Sequence, residues 1–140
     1  MIKWEVIYLK IALGKIYSSI SMLSKIKEMK LGIKVDYWCV KNIRILSDDY
    51  RFFLEKRDEI YAKYCNKGED GLFFKLEGNQ ITFNIKDGSD VEAFDKELNE
   101  LMINECDIEP YVMSIEIFDT LPNVNIEGYD IYMIDYMLPL

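Results

Sequence analysis

The longest regular pattern in the chain runs through Cys39, Ile43, Leu46, Tyr50, Phe53, Arg57, Ile60 and Tyr64, in steps of 4-3-4-3-4-3-4. Such steps place side chains on one face of an α-helix, and they predict one long amphipathic helix from about Val35 to Cys65. Ser47-Asp48-Asp49 reads equally well as the N-cap of a second helix. The stripe passes through it without a break in phase, which favours one helix, kinked at most there. Upstream, Ile16, Ile20, Leu23 and Ile26 share a helical face after Gly14, with Lys25, Lys27, Glu28 and Lys30 outside. Lys30 suits the negative carboxyl end of a helix, and Gly32 is placed to supply the left-handed cap residue. Two helices joined so briefly pack as an antiparallel hairpin.

Elsewhere the rhythm changes. Residues 3–11 alternate Trp4, Val6 and Tyr8 against Glu5, Ile7 and Leu9, which suits a strand with unequally buried faces. After the loop Asn66–Gly71, Leu72–Leu76 and Ile81–Ile85 flank Gly78-Asn79, the signature of a tight hairpin with glycine first in the turn. Ser89 and Glu92 have capping-box spacing, and Val91, Phe94, Leu98 and Leu101 follow at 3-4-3, predicting a third helix. In the mixed stretch 108–117, Pro110 confines any strand to an edge or a strand start. Ser114–Leu121 can turn helical before Pro122, and Asp130–Leu138 reads as a last short helix. The fold class expected is α+β: an antiparallel helical hairpin plus a third helix, packed with a small, mostly antiparallel sheet. That sheet draws on the first strand, the 72–85 hairpin and part of 107–117.

A length of 140 residues with 50% apolar side chains suffices for one domain with its own core. Within it the charge is lopsided. Residues 1–65 hold 13 Lys/Arg against 8 Asp/Glu, a net +5, whereas residues 66–140 hold 4 against 17, a net −13. The single domain 1–140 therefore joins a basic helical hairpin (12–65) to an acidic hairpin-helix-strand-helix portion (66–140). Such asymmetry marks either an acidic interaction face or ordinary solubilising charge, and it disfavours nucleic acid as a partner of the whole chain.

Chemistry is narrowed chiefly by the absence of histidine. It removes imidazole general acid–base catalysis, His-activated nucleophiles and imidazole metal ligands together. Cys39, Cys65 and Cys106 are odd in number and form no CxxC, so they are expected to be reduced, mostly buried thiols, with neither a disulfide framework nor a zinc site. There is no GxGxxG and no GxxxxGK[ST]. Asp87-Gly88-Ser89-Asp90 lacks the remaining ligands of a calcium loop, and Glu92, Asp95, Glu97 and Glu100 read best as the solvated face of the third helix. No cofactor, no metal and no catalytic residue is expected. With charges interrupting every apolar run near residue 1 and no stretch long enough to span a bilayer, the expected location is cytoplasmic.

Several segments together carry a resemblance. They are Lys30-Leu31-Gly32-Ile33-Lys34 after a basic helix, and Glu55-Lys56-Arg57-Asp58-Glu59-Ile60-Tyr61-Ala62-Lys63-Tyr64 closing a long one. Phe94-Asp95-Lys96-Glu97-Leu98-Asn99-Glu100-Leu101 follows a glycine-bearing loop, and a terminal helix spans Tyr129–Leu138. This order, over about three quarters of the chain, resembles small uncharacterised proteins encoded by temperate phages and prophages of Gram-positive bacteria. It departs from them at Leu31-Gly32, where that family has Leu-Pro, and in its tyrosine-rich tail. The resemblance implies a phage origin and a host-cell cytoplasmic location, and it supplies no activity.

The candidate functional surface is that tail. Tyr129, Tyr132 and Tyr136 fall on one helical face, flanked by Asp130 and Asp135, with Ile131, Ile134 and Leu138 on the adjoining face. Tyrosine and methionine together are interface chemistry; the plainer reading is that the aliphatic face docks into the core and the tyrosines shield it. The function expected is non-catalytic binding, as an inhibitor of a host defence protein, through an acidic, tyrosine-rich surface that meets a basic surface on a host or phage protein. The alternatives are a virion or tail-assembly component, homo-oligomeric through the tyrosines, and a protein that sequesters a small nucleotide signal. The basic run Lys25, Lys27 and Lys30 is the next surface to consider.

Overall fold

The stripe of residues 39–64 becomes one unbroken helix. The computed structural model describes residues 8–121, 124 and 126–138. In it β1 (Leu9–Ala12) runs directly into α1 (Leu13–Glu28), and α2 (Ile33–Tyr64) packs antiparallel on α1. Then come β2 (Phe74–Glu77), β3 (Gln80–Phe83), α3 (Val91–Ile103), β4 (Glu105–Ile108), a 3-10 turn at Ile115–Thr120, and α4 (Gly128–Ile134), which runs on as a 3-10 turn over Asp135–Met137. This is the α+β architecture expected, with its sheet in two pieces rather than one. β1 pairs antiparallel with β4, Leu9 opposite Ile108 and Ala12 opposite Glu105. β2 pairs with β3, Phe74 opposite Phe83 and Glu77 opposite Gln80.

Ser47-Asp48-Asp49 lies mid-helix, where Ser47 returns its hydroxyl to the Arg44 carbonyl instead of capping. At the α1–α2 corner the left-handed residue is Lys30 (φ 55°), not Gly32. Gly32 (φ 112°, ψ 169°) is instead the N-cap of α2, in a backbone region closed to other residues, and its carbonyl accepts the first helical bond from Asp36. The cap of α3 also moves by one residue. Ser89 N–H folds back onto the Lys86 carbonyl through the Asp87-Gly88 turn, so Asp90, not Ser89, accepts from Ala93 N–H at 3.1 Å. Most of the strand expected at 3–11 lies outside the described residues. Of the strand expected within 107–117, only Asp107 and Ile108 pair. Pro110 has no N–H to offer, and the backbone of Tyr111 is taken by a side chain of α2.

The main core joins α1, the first two thirds of α2, β1, β4 and α4 through Leu13, Ile16, Leu23, Ile26, Val35, Trp38, Cys39, Leu46, Ile134 and Met137, all essentially inaccessible to solvent. A second, smaller cluster sits at the far end of α2, where Tyr64, Cys65 and Phe94 are buried beneath Tyr61, Phe73 and Phe83. No helix of the described residues is long and apolar enough to cross a membrane.

Candidate functional site

Three buried polar groups of the helical hairpin determine where the irregular carboxyl-terminal part lies. Asn42 donates through Nδ2 to the Trp38 and Tyr111 carbonyls (3.0 and 2.8 Å) and accepts Tyr111 N–H on Oδ1 (2.9 Å). Trp38 Nε1 donates to the Met137 carbonyl at 3.2 Å, which also receives Met113 N–H. The Ser19 hydroxyl oxygen lies 2.7 Å from both the Lys15 and Met133 carbonyl oxygens, shares its one proton between them, and accepts from the Tyr136 phenol at 2.7 Å. Buried polar groups must find partners, and here the partners are backbone and side-chain atoms up to 117 residues distant in sequence. They are not legible from local pattern.

This anchoring divides the five residues of the tail surface. Tyr136 is half-buried on Ser19, and burial pushes its phenol far above the usual tyrosine range. Tyr129 and Tyr132 stand 69% and 60% exposed on α4. Asp130 caps α4, accepting Glu127 N–H at 3.3 Å. Asp135 is neutralised by Lys15 Nζ at 2.7 Å, and the same ammonium lies 4.6 Å from the Tyr132 ring centroid. Beneath them Ile134, Met137 and Leu138 dock into the core. A shallow hollow of about 310 Å³ opens between α1 and α4, walled by Tyr17, Ser21, Met22 and Lys25 on one side and Tyr129, Asp130 and Met133 on the other. Tyr129 and Asp130 are therefore brought together on this hollow and Tyr132 lies over Lys15, whereas Tyr136 belongs to the structure under them.

Among the described residues the arrangement supplies no activated nucleophile. Ser19 is fully buried, and Ser18 bonds back to the Gly14 carbonyl. The cysteines are free thiols, two buried and Cys106 half-buried. Desolvation raises all three, pushing Cys39 up to about 12 and Cys106 up to about 11, so they stay protonated at neutral pH. No group of three or more carboxylates or thiols among the described residues is placed to hold a metal ion. On α3, Glu97 is engaged by Lys63 at 3.0 Å, and the neighbouring Tyr64 hydroxyl and the Lys63 ammonium hold its carboxyl below the usual range. Glu92, Asp95 and Glu100 remain exposed. Compared with family models, with curated proteins and with solved structures, the chain gives no significant match in any of the three.

Proposed function

We propose that this chain is a non-catalytic binding protein whose acidic carboxyl-terminal half meets a basic surface on a partner protein. The resemblance to temperate-phage proteins directs that partner to the host, where the chain would act as an inhibitor of a defence protein. The observation that carries the reading is the exposure of Tyr129 and Tyr132 on a helix whose other face is locked into the core. Two rigid aromatic anchors on a fixed support bind at low entropic cost. The net −13 of residues 66–140 steers a basic partner and makes association salt-dependent. Asp130 and Asp135 form the rim, and Tyr136 supports the surface from below.

The test begins with a partner captured from host extract and purified. Tyr129→Ala and Tyr132→Ala should each weaken binding by about 1–3 kcal/mol, as truncated interface anchors do. Both residues are exposed, so the variants should melt with the wild type. Undiminished affinity in both folded variants would remove the tyrosine surface from consideration.

A further inference from the structure

The first turns of α2 carry a second surface of different chemistry. Along the first turns of α2, Ile33, Tyr37, Val40 and Arg44 recur at 4-3-4, away from the core stripe, and Ile33 is 88% exposed. The facing wall is the irregular segment 110–114, held in place by the Asn42 clamp on Tyr111 and by the Met113 N–H bond to Met137. Tyr111 meets Tyr37 edge-on, ring centroids 5.6 Å apart. Between the walls lies a groove of about 460 Å³ lined by Ile33, Lys34, Tyr37, Trp38, Tyr111 and Val112.

Two properties of the groove say what fits it. Val112 lies between Tyr111, whose N–H and C=O both bond Asn42, and Met113, whose N–H bonds the Met137 carbonyl, while its own N–H and C=O meet no protein partner among the described residues. That alternation is the hydrogen-bonding pattern of a free strand edge, which an extended peptide can extend. Lys34 on the groove, and Lys41 and Arg44 in the adjoining hollow that shares Ile33 and Tyr37 with it, are exposed and form no ion pair among the described residues, in a chain of net charge −8. The only acid lining the hollow beside them is the half-buried Asp36. On its other side Lys41 borders a separate hollow with Asp49, Asp107 and Glu109, so carboxylates are welcome only on the side it shares with Ile33, Tyr37 and Arg44.

We propose that this groove docks an acidic, extended segment of a partner protein. Its backbone would pair with Val112, an apolar or aromatic side chain would seat between Ile33 and Tyr37, and its carboxylates would meet Lys34, Lys41 and Arg44. This surface is separate from Tyr129 and Tyr132 and opposite in sign, so the proposal stands independently of the one above.

The experiment is selection of a randomised twelve-residue peptide library on the immobilised full chain, followed by fluorescence anisotropy with an enriched peptide. Enriched sequences should carry two or more Asp/Glu around an apolar anchor. Ile33→Asp and Lys34→Glu/Arg44→Glu should each weaken the peptide at least tenfold at low salt, while Tyr129→Ala leaves it unchanged. All these residues are exposed, and unchanged melting curves confirm that the variants are folded. The proposal is overturned if no peptide is enriched, if basic peptides are selected, or if the groove variants bind as well as wild type. It is equally overturned if a twelve-nucleotide single-stranded DNA binds more tightly and is lost in the same variants. Sedimentation showing self-association that Ile33→Asp abolishes would assign the face to a second copy instead.

Discussion

Around the first two thirds of α2 the core is aliphatic, extensive and keyed by Ser19, Trp38 and Asn42; around its last turns it is aromatic, small and without a buried polar key. The small cluster is a chain of tilted rings, with Phe83 and Phe94 centroids 5.1 Å apart, Tyr61 and Phe83 5.3 Å, and Tyr64 and Phe94 5.5 Å. It carries a two-stranded hairpin whose Leu76 and Ile81, cross-strand partners, remain exposed. A two-stranded hairpin has little stability of its own, so it depends on these rings and on a few backbone bonds that tie residues 84–86 to the end of α2 and the loop after it. The large cluster instead loses several long-range anchors at once if any part moves. One helix thus serves two regions of unequal local stability, and the smaller should open below the threshold of global unfolding.

The comparison breaks most visibly under truncation. Leu23→Ala, in the main core, should cost about 2–5 kcal/mol and lower the single denaturation midpoint of the whole protein. Phe94→Ala removes the ring that contacts Tyr61, Tyr64 and Phe83. Its larger lost area should appear mainly as rapid amide exchange in β2 and β3, while α1 and the first turns of α2 keep their protection. If both variants slow and accelerate the same amides together, the two clusters are one cooperative unit and the contrast fails.

Alkaline pH sharpens the same contrast. Burial raises Cys39 in the main core to about 12, while the Cys65 thiol of the small cluster is raised less. A thiol whose folded pKa exceeds its unfolded value stabilises the fold fully below the unfolded pKa, near 9, and that contribution is lost as pH rises toward 12. Stability should therefore fall from about pH 9 upward, with Cys106, raised to about 11, contributing over the same range and Tyr136, also raised by burial, adding to the loss above about pH 10. Cys39→Ala should be less stable at neutral pH but decline less steeply over this range. An equal slope in denaturation curves would show that the main-core thiol does not drive the transition.

The large cluster was far more legible in sequence than what is attached to it. Helical periodicity reports a face because every turn repeats it, so the stripe from Cys39 to Tyr64 and that from Ile16 to Ile26 announce both helices and their contact. Gly78-Asn79 announces the hairpin turn because the backbone there needs φ of 65° at its first position. What sequence does not carry is pairing at a distance. β4 begins at Glu105 and docks on β1, and a hydrogen bond to Ser19 takes Tyr136 out of the exposed set, without any local signal. The tail tyrosines look equivalent at helical spacing; only the position of α1 beneath them separates Tyr136 from Tyr129 and Tyr132. The groove beside Tyr37 was hidden for the same reason, since its second wall depends on Asn42, which lies beside the stripe and carries no periodic mark.

Arg57 is where the two regions meet, and it gives the smallest effect. It occupies a core position of the α2 stripe, yet its side chain keeps 27% exposure. Its guanidinium carbon lies 5.8 Å from the Tyr17 ring centroid and 5.5 Å from that of Tyr61. Tyr17 packs against Tyr50 and Phe53 on the main-core side, and Tyr61 against Phe83 and Phe94 on the other. A planar cation with an apolar stem can sit between two rings where an aliphatic side chain would leave its tip poorly packed and a lysine would lose the planar contact. Each such contact in a partly exposed place is worth about 0.5–1 kcal/mol, so Arg57→Ala should cost about 1–2 kcal/mol in all, including lost packing of the stem. The pair with Asp58 is on the surface and adds little. The more telling readout is coupling: in wild type, the effects of Leu23→Ala and Phe94→Ala on exchange should partly transmit between regions, and in an Arg57→Ala background they should become additive. Arg57→Lys should keep the charge but weaken the coupling, because a lysine ammonium cannot reach both rings with one broad guanidinium face. Coupling that survives both substitutions would place the junction instead at Leu98 and Leu101 of α3, the helix that also packs on both clusters.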